Sequence, residues 1–390
     1  MKFAGIIAEY DPFHNGHAWQ LAQAKALGAE RVAVAMSCSL VQRGALPLLP
    51  EAVRTRSALT CGADLVFALP APCACAGAEA FARAGVALLA AAGCDGLVFG
   101  AETPDAALLM EAAELLDSGS YRAALKAQLA GGARSFAAAR QAAAAQLASD
   151  ERVAALLDKP NNNLAVEYCR AIRSLAPQME AYPLPRQGAN HGEALHSAHG
   201  QFASASALRK LWAEGGADAV APYVPEAVFP LYQEAYAAGR CELALLRSAC
   251  RGKAPFAHIR GVSEGLEHRL EAAVRTSTTY DELLDALTTV RYPLARMRRL
   301  AMDAAVGCTA DSLPALPPYL HLLGGKKDAL PFLKNCTLPV SHSLARLRGA
   351  GDASARMAEA QLAAADFGTL CRVSPEAMGG LLRQKNIFLT

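Results

Sequence analysis

The stretch that decides the fold opens the chain: MKFAGIIAEYDPFHNGHAWQ, residues Met1–Gln20. The apolar run Phe3–Ala8 predicts a buried β-strand, and a helical pattern resumes near Gly16 after a short polar loop. A strand, a loop and a helix N-terminus in this order form an anion site, because the first amides of a helix have no partner inside it. His14 and His17 lie at this site and indicate phosphate chemistry.

The alternation of strand and helix continues along the first half of the chain. Three further apolar runs, Arg31–Met36, Asp64–Leu69 and Gly96–Gly100, are separated by helix-forming sequence. This pattern predicts an α/β fold, a Rossmann-like parallel sheet covered on both faces, with its ligand beyond the carboxyl ends of the strands. Helical segments dominate later, so we expect a first domain over residues 1–218 and a mainly helical C-terminal domain over 219–390.

Bulk composition limits the classes of function. The net charge of +2 gives no overall basic field, so any RNA binding has to come from local patches. The 11 cysteines, the lack of a signal-peptide pattern and the lack of a long uncharged apolar run predict a reduced, cytoplasmic protein without a membrane span. Cys73 and Cys75 form a lone C-x-C that we interpret as packed thiols, and no protein metal site is predicted.

The first motif with chemical meaning is His14-Asn15-Gly16-His17. A spacing of three at a helix start places both imidazoles on one side of the first turn. Gly16 leaves room for a phosphate to approach the backbone amides. Two donors there can stabilise a pentavalent phosphorus and a departing pyrophosphate. The alternative is a pair of histidines in a helical first turn without a catalytic role.

A second motif opens a helix further along, in the run ASASALRK at residues 203–210. Ser204 and Ser206 are small hydroxyl residues that suit a helix cap, which is the plain structural interpretation. The functional interpretation adds Arg209, one turn into the helix, as a phosphate clamp. The two interpretations are compatible, because a capping hydroxyl and a phosphate share the same amides.

Five stretches occur in a specific order: EYDPFHNGH (9–17), MSCSLVQRG (36–44), KPNNNLAVEYCRAI (159–172), ASASALRK (203–210) and VRYPLARMRRL (290–300). Together they resemble the bacterial tRNA(Met) cytidine acetate ligase family, a branch of the nucleotidyltransferase superfamily with an H-x-G-H loop. The resemblance implies activation of acetate by ATP to acetyl-adenylate, with release of pyrophosphate. It further implies transfer of the acetyl group to N4 of the wobble cytidine (C34) of elongator tRNA(Met), giving N4-acetylcytidine and AMP.

The resemblance also implies site residues. His14, His17 and Arg209 are the expected catalytic residues, and Mg²⁺ is expected to accompany ATP without an identifiable protein ligand. For Asn162, a helix cap alone is the alternative. The expected ATP-binding residues are Ile7, Ala8, Glu9, Tyr10, Asp11, Pro12, Phe13, His14, Asn15, Gly16, His17, Ala18, Trp19, Gln20, Gly100, Asn162, Arg186, Gln187, Ser204 and Ser206.

The expected acetate pocket contains Ser37, Cys38 and Gln42, and here the chain departs from the family pattern. The family usually has Gly and then Asn or His after the serine, where this chain has Cys38-Ser39. We expect the larger side chain to narrow the pocket. Asp11 also replaces the family's usual Asn, which adds a negative charge beside a phosphate loop.

A basic segment near residue 295 is the expected contact with tRNA. Basic side chains beside a tyrosine suit an RNA backbone and an unstacked base, although a solvated helix face is the alternative. We predict that the first five residues share one helix and that the two lysines follow a turn at Gly324-Gly325. The expected tRNA-binding residues are Arg291, Tyr292, Arg296, Arg298, Arg299, Lys326 and Lys327.

Two other functions compete with the ligase hypothesis. One is a small-molecule adenylyltransferase, against which the helical second half argues, because such enzymes are short. The other is a protein that binds ATP and RNA without ligase activity. The sequence sets neither the oligomeric state nor the basis of anticodon selection.

Overall fold

The strands in the described part of the chain form one main sheet and a short hairpin. The computed structural model describes residues 1–133, 135–186, 196–197, 200–233, 242–372, 374–383 and 387–389, with side chains except at 196, 197, 200 and 312. The strands are β1 (Phe3–Ala8), β2 (Arg31–Ser37), β3 (Leu65–Leu69), β4 (Gly96–Ala101), β5 (Glu180–Pro185), β6 (His196–Ser197), β7 (Gly200–Gln201), β8 (Leu320–Lys326), β9 (Val340–Ser341) and β10 (Ile387–Leu389).

The main sheet has the order β10-β8-β3-β2-β1-β4-β5, with β9 paired to β8, and β6 pairs with β7 apart from it. Strands β1 to β5 are parallel to one another, whereas β8 runs antiparallel to β3. The chain moves outward from β1 to β3 and then crosses to β4 on the other side of β1. Ligands of open parallel sheets bind where the strand order reverses, so this topology places the site at the carboxyl ends of β1 and β4.

Helices cover the sheet and form most of the second half. The α-helices are α1 (Asn15–Ala26), α2 (Glu51–Thr60), α3 (Ala71–Ala74), α4 (Ala78–Ala91), α5 (Ala106–Asp117), α6 (Gly119–Ala130), α7 (Phe136–Leu147), α8 (Glu151–Leu156), α9 (Pro160–Leu175), α10 (Ala205–Gly215), α11 (Phe229–Gln233), α12 (Glu242–Ala249), α13 (Leu266–Thr276), α14 (Tyr280–Leu287), α15 (Leu294–Val306), α16 (Leu344–Arg348), α17 (Asp352–Leu370) and α18 (Gly380–Arg383). Three 3₁₀ segments cover Asp218–Tyr223, Ala310–Ser312 and Lys327–Asn335.

The predicted α/β fold with a parallel sheet and a mainly helical second half is confirmed. The runs near residues 3, 31, 64 and 96 form β1 to β4 because their buried apolar side chains face helices on both sides. The buried clusters on the two faces include Phe67 and Leu97 on one side and Ile6 and Val34 on the other. Among the described helices, none combines the length and the apolar character that crossing a lipid bilayer requires.

One predicted helix start is wrong, and a residue considered as a helix cap lies inside its helix. Asn162 belongs to the first turn of α9, which begins at Pro160, because proline is well tolerated in a first helical turn. The basic helix begins only at Leu294, so Arg291 and Tyr292 precede it. Pro293 is the residue that caps it, and its fixed φ suits a helix boundary.

The second half also contributes strands to the sheet. The turn predicted at Gly324-Gly325 is wrong, because both residues lie inside β8. A Cβ atom at Gly324 would come within 2.5 Å of the Ile387 carbonyl oxygen, so only glycine lets β8 and β10 pair this closely. The division of the chain at residue 218 remains a prediction. The strand pairing shows that residues 320–326 complete a sheet that residues 3–185 begin.

Candidate active site

A cavity of about 380 Å³ lies beyond the carboxyl ends of β1, β4 and β5. It is the place where the strand order reverses, and the residues of the β1–α1 loop form much of its wall. The lining residues are Ile7, Ala8, Glu9, Tyr10, Asp11, His14, Gly16, His17, Trp19, Gln20, Gln42, Phe81, Phe99, Gly100, Asn161, Leu164, Tyr168, Leu184, Pro185, Arg186 and Ala205.

Two backbone hydrogen bonds fix the histidines at the start of α1. His14 is the N-cap, and its Nδ1 accepts a hydrogen bond of 3.0 Å from the Gly16 N–H. His17 reaches back, and its Nδ1 accepts a hydrogen bond of 3.3 Å from the His14 N–H. The arrangement is a capping box built from imidazoles. A Cβ atom at Gly16 would lie 2.9 Å from the His14 ring, so this glycine makes room for the histidine.

These contacts determine the protonation of both rings. A neutral imidazole whose Nδ1 accepts a hydrogen bond carries its proton on Nε2. Burial lowers the pKa of His14 to about 3, and the nearby Arg186 and Arg209 contribute to that shift. Burial, and then the neighbouring His14, lower the pKa of His17 well below its ordinary value. Both histidines are therefore neutral near pH 7, and each has an Nε2–H to donate to a ligand.

The Asp11 carboxylate connects the β1–α1 loop with the segment after β2 and with α10. It is only 1% exposed and accepts hydrogen bonds from the Arg43 guanidinium and from the Leu48 N–H. Arg209 lies 3.7 Å from Asp11 Oδ2 and donates a 2.6 Å hydrogen bond to the Asp11 carbonyl oxygen. Two arginines thus balance the charge that Asp11 adds to the phosphate loop.

A fully buried arginine holds the ends of β1 and β2 in register. The Arg54 guanidinium donates hydrogen bonds of 2.8 Å to the Glu9 carbonyl oxygen and 2.6 Å to that of Ser37, and a further one to Cys38. Its Nε donates to the Leu49 carbonyl oxygen at 3.1 Å. A buried charge of this kind persists only with such partners, so the two strand ends and the loop that follows are fixed to one another.

The comparison with known proteins places this site in a family. The HIGH Nucleotidyl Transferase family model matches residues 1–376. The tRNA(Met) cytidine acetate ligase of Acetivibrio thermocellus is 31% identical over 96% of this chain and 96% of its own. That of Syntrophotalea carbinolica is 35% identical over 89% of this chain and 86% of its own. The chain belongs to the tRNA(Met) cytidine acetate ligase family.

Solved structures agree with this assignment. A crystal structure of Thermotoga maritima TmcAL bound with alpha-thio ATP matches with a TM-score of 0.89 at 26% identity, over 100% of both chains. The apo form of the same protein matches with a TM-score of 0.89 at 27% identity, also over 100% of both chains. The predicted family and the nucleotidyltransferase fold are therefore confirmed.

Some of the residues predicted to bind the nucleotide line the wall of this cavity, and others are buried behind the wall. Gly100 and Arg186 line the cavity, and a Cβ atom at Gly100 would lie 3.4 Å from the Arg186 side chain. Asn162 is buried behind the wall, where its amide pairs with the N–H and hydroxyl of Thr103. Gln187 lies outside the described residues.

The other predicted ATP-binding residues of the stretch 7–20 do not line the cavity and instead hold the β1–α1 loop in place. The Asn15 amide donates to the carbonyl oxygens of Gln201 and Pro222, and the Phe13 carbonyl oxygen accepts from a buried tyrosine hydroxyl. Pro12 follows a cis peptide bond. Ala18 is partly buried and packs against the apolar cluster on that face of the sheet.

The second motif begins α10. The Ser204 hydroxyl accepts a hydrogen bond from the Ala207 N–H and lies 3.0 Å from the Ser206 hydroxyl, so the plain structural role as a cap is present. Neither serine lines the cavity, whereas Ala205 between them does. The N-terminus of α10 therefore faces the same cavity as that of α1.

The expected acetate pocket is divided by the fold. Gln42 lines the cavity, but Ser37 is fully buried and its hydroxyl has no hydrogen-bond partner among the described residues. Cys38 lines a second cavity of about 430 Å³ between the 46–52 segment and α17. Burial raises the pKa of the Cys38 thiol to about 12, so it stays protonated.

Sequence reasoning missed the apolar wall of the cavity. Phe81, Phe99 and Tyr168 line it together with Leu184, and Phe99 packs on Tyr168 with ring centroids 5.4 Å apart. Phe99 occupies the carboxyl end of a predicted strand, so its position was the signal that could have found it. Asn161, in the first turn of α9, lines the cavity in the place expected for its neighbour Asn162.

The residues predicted to bind tRNA fall into two places. Arg299 donates a 3.3 Å hydrogen bond to the Gln42 carbonyl oxygen, so α15 lies beside the cavity wall. The guanidinium groups of Arg291 and Arg296 lie over the Tyr292 ring, 5.7 and 5.1 Å from its centroid. Lys326 instead approaches Asp64 at 3.5 Å, and Asp64 directly precedes β3. Lys326 and Lys327 therefore lie at the amino ends of the parallel strands, whereas the histidine loop lies at their carboxyl ends.

Proposed function

We propose that this protein is an ATP-dependent ligase that activates acetate as acetyl-adenylate and transfers the acetyl group to N4 of the wobble cytidine (C34) of elongator tRNA(Met). The products are N4-acetylcytidine, AMP and pyrophosphate. The observation that carries the proposal is the pair of neutral Nε2–H donors at a helix N-terminus in the cavity at the strand-order reversal. The names of the relatives, with which the chain aligns over most of its length, supply the acceptor.

The first half-reaction follows from the histidine loop. An acetate oxygen attacks the α-phosphorus of ATP, and the negative charge on the phosphoryl oxygens increases as the bond to pyrophosphate breaks. The Nε2–H groups of His14 and His17 stabilise this charge, and they need no reorganisation because backbone contacts already fix both rings. Pyrophosphate leaves toward the N-terminus of α10, with Arg186 and Arg209 adding positive charge.

The apolar wall and Gly100 suit the nucleoside part of ATP. Phe99, Tyr168 and Leu184 exclude water from one side of the cavity. The missing side chain at Gly100 leaves the end of β4 open to close approach. Asn161 presents an amide at the same wall, and its Nδ2 is positioned by a hydrogen bond to Glu102.

Magnesium enters this proposal only with the nucleotide. In the part of the chain that the structure describes, no group of three or more His, Cys, Asp or Glu side chains could hold a metal ion. Mg²⁺ is commonly bound through substrate phosphates and water with few protein ligands, which fits a cavity of this composition. When bound, it would neutralise phosphate charge, while binding and orientation of the nucleotide rest on the protein's own groups.

The helical second half is the proposed tRNA-binding part. Arg296, Arg298 and Arg299 lie on α15, which packs against the Gln42–Gly44 segment at the cavity wall. A phosphate backbone held there would present an unstacked base to the cavity. The proposed substrates, ATP and tRNA, place the reaction in the cytoplasm.

Pyrophosphate exchange tests the first half-reaction. We expect labelled pyrophosphate to enter ATP only when acetate is present, and N4-acetylcytidine to appear when tRNA(Met) is added. Pyrophosphate exchange that does not depend on acetate but depends on another small molecule would favour a small-molecule adenylyltransferase. Binding of ATP and RNA without any exchange would favour the non-catalytic alternative.

A further inference from the structure

The second half-reaction needs a group that removes a proton, and the histidine loop does not supply one. The exocyclic amine of cytidine is a weak nucleophile because its lone pair is delocalised into the ring. We infer that the Glu9 carboxylate is the general base that takes the proton from N4 of the acceptor cytidine. This inference rests on the proposed function and adds a catalytic residue to it.

The histidines cannot fill this role. In each ring Nδ1 accepts a backbone hydrogen bond, from Gly16 for His14 and from His14 for His17. The remaining nitrogen of each ring is Nε2, which carries the proton of the neutral form. A ring in this state donates and does not accept, so the loop that serves the phosphates has no base to offer.

The other titratable groups at the cavity wall are also excluded. Asp11 is 1% exposed, and both carboxylate oxygens are occupied, one by Arg43 and one by the Leu48 N–H. Burial raises the pKa of Tyr10 and of Tyr168 above the ordinary tyrosine value, so both phenols stay protonated. Glu9 is the carboxylate that remains among the described lining residues.

Glu9 has one oxygen fixed and one available. Oε1 accepts a 2.6 Å hydrogen bond from the Gln42 N–H, which holds the side chain in place. Oε2 lies 3.9 Å from Arg43 Nη1, beyond hydrogen-bond distance, and has no hydrogen-bond partner among the described residues. The side chain is 29% exposed and lines the cavity. It can therefore meet a ligand without first breaking a hydrogen bond.

The location of Glu9 fits the entry of an RNA base. Gln42 contacts Glu9 through its N–H and contacts Arg299 of α15 through its carbonyl oxygen. The segment that positions the carboxylate is therefore also the segment against which the basic helix packs. A base presented from α15 reaches the Glu9 side of the cavity.

The atoms of the step balance. The N4 lone pair forms a bond to the acetyl carbonyl carbon, and the bond from that carbon to the phosphate oxygen breaks. The leaving group is AMP, which takes the electron pair. The proton lost from N4 goes to Glu9 Oε2. No oxidant, reductant or additional reactant is required.

The surroundings of Glu9 tune it for proton transfer. Burial raises its pKa, and the facing Arg43 opposes that shift. A carboxylate with a raised pKa accepts a proton more readily than an ordinary carboxylate. The charged and titratable groups around it come from five elements or loops: Arg43, Asp11, Arg54, Tyr168 and Arg209.

The experiment compares two acceptors of the same acetyl-adenylate. Hydroxylamine is already a good nucleophile as the free base and needs no enzymatic base to form acetohydroxamate, whereas cytidine does. We expect Glu9→Gln to lower the ratio of tRNA acetylation to acetohydroxamate formation by about 10²–10⁴-fold, the usual effect of a general base. In the wild type, single-turnover transfer to tRNA should rise with pH until Glu9 is ionised, and this rise should vanish in Glu9→Gln.

Asp11→Asn is the matched control, because its carboxylate belongs to the same loop but only positions it. We expect both acceptors to be affected together, so that the ratio is unchanged. Loss of both reactions in Glu9→Gln, with tRNA binding by filter assay retained, would overturn the inference in favour of a positioning role. Unchanged transfer in that variant would overturn it as well. Absence of acetohydroxamate in the wild type would contradict the proposed function instead.

Discussion

The imidazole rings of His14 and His17 stack on each other, with their centroids 3.8 Å apart. Two cations could not be held at that distance in a buried site. Burial is the main cause that lowers the pKa values of both rings. In the proposed reaction, the loop therefore recognises phosphate through neutral N–H donors and a helix N-terminus. Charge is supplied separately by arginines, so substitutions of the histidines and of the arginines should have different effects.

His17→Ala should abolish adenylate formation and leave tRNA binding intact. The substitution removes one Nε2–H donor and also the acceptor for the His14 N–H. Loss of one such donor typically lowers a rate by about 10²–10³-fold. Acetate-dependent pyrophosphate exchange and filter binding of tRNA measure the two properties. His268→Ala is the control, because that histidine is exposed in the helical half. Equal loss of both properties would mean that His17 is structural.

Stability should fall with decreasing pH because of the same rings. A histidine with a lowered pKa in the folded state binds a proton more readily when unfolded. Acid therefore favours unfolding between the ordinary pKa of 6.5 and the folded value of about 3 for His14. Each such group adds up to about 1.4 kcal/mol per pH unit to the slope. Urea unfolding at pH 7.5 and 5 should show a smaller difference for His14→Gln than for the wild type, and an equal difference would refute the assignment.

Gly44→Ala should separate the basic helix from the cavity wall. Gly44 has a φ of +77°, and a Cβ atom there would lie 2.5 Å from the backbone nitrogen of Arg299. Gly28 is the matched control, because its φ is +92° and nothing lies within 4 Å. Both substitutions carry backbone strain, but only Gly44→Ala adds overpacking of about 1–3 kcal/mol. Urea unfolding measures the stability difference, and equal losses would exclude this contact as its source.

Asp11 and Arg43 should be energetically coupled. Their ion pair is shielded from water, since Asp11 is 1% exposed. A double-mutant cycle with Asp11→Asn and Arg43→Gln should give a coupling energy of about 0.5–3 kcal/mol in unfolding experiments. Additive effects of the two substitutions would show that the neighbouring Arg209 alone compensates the carboxylate.

The two groups of predicted RNA contacts should behave differently. Arg298→Ala should weaken tRNA binding and reduce its salt dependence, because Arg298 is on the helix beside the cavity. Lys327→Ala should have a smaller effect, since Lys327 follows β8 at the amino ends of the parallel strands. Filter binding at several salt concentrations checks both variants. A larger effect of Lys327→Ala would place the RNA at the amino ends of the parallel strands, away from the cavity.

The sequence was sufficient for the first half of the sheet because apolar runs such as Arg31–Met36 have no other stable environment than a buried strand. It was also sufficient for the histidine loop, where a strand, a glycine and a helix start lie within one short segment. Its spacing predicted both rings on one side, and the structure adds the backbone bonds that fix their protonation.

Long-range pairings could not be predicted in this way. The cavity wall joins Phe81, Phe99 and Tyr168 from separate elements, and no local pattern connects them. Gly324-Gly325 has the composition of a turn, and pairing with β3 on one side and β10 on the other makes those glycines part of a strand. The partners of Asp11 lie more than 30 residues away in sequence, so the residues next to Asp11 could not indicate what balances its charge.

The pairing of β8 with β3 has a consequence for synthesis on the ribosome. When residues 1–218 have emerged, the edge of β3 still has no neighbour, and exposed strand edges invite pairing with other chains. The edge is covered only after about a hundred more residues have been added, because β8 spans Leu320–Lys326. The nascent first half therefore passes through an aggregation-prone interval, and chaperone dependence should be greatest for chains arrested in that window.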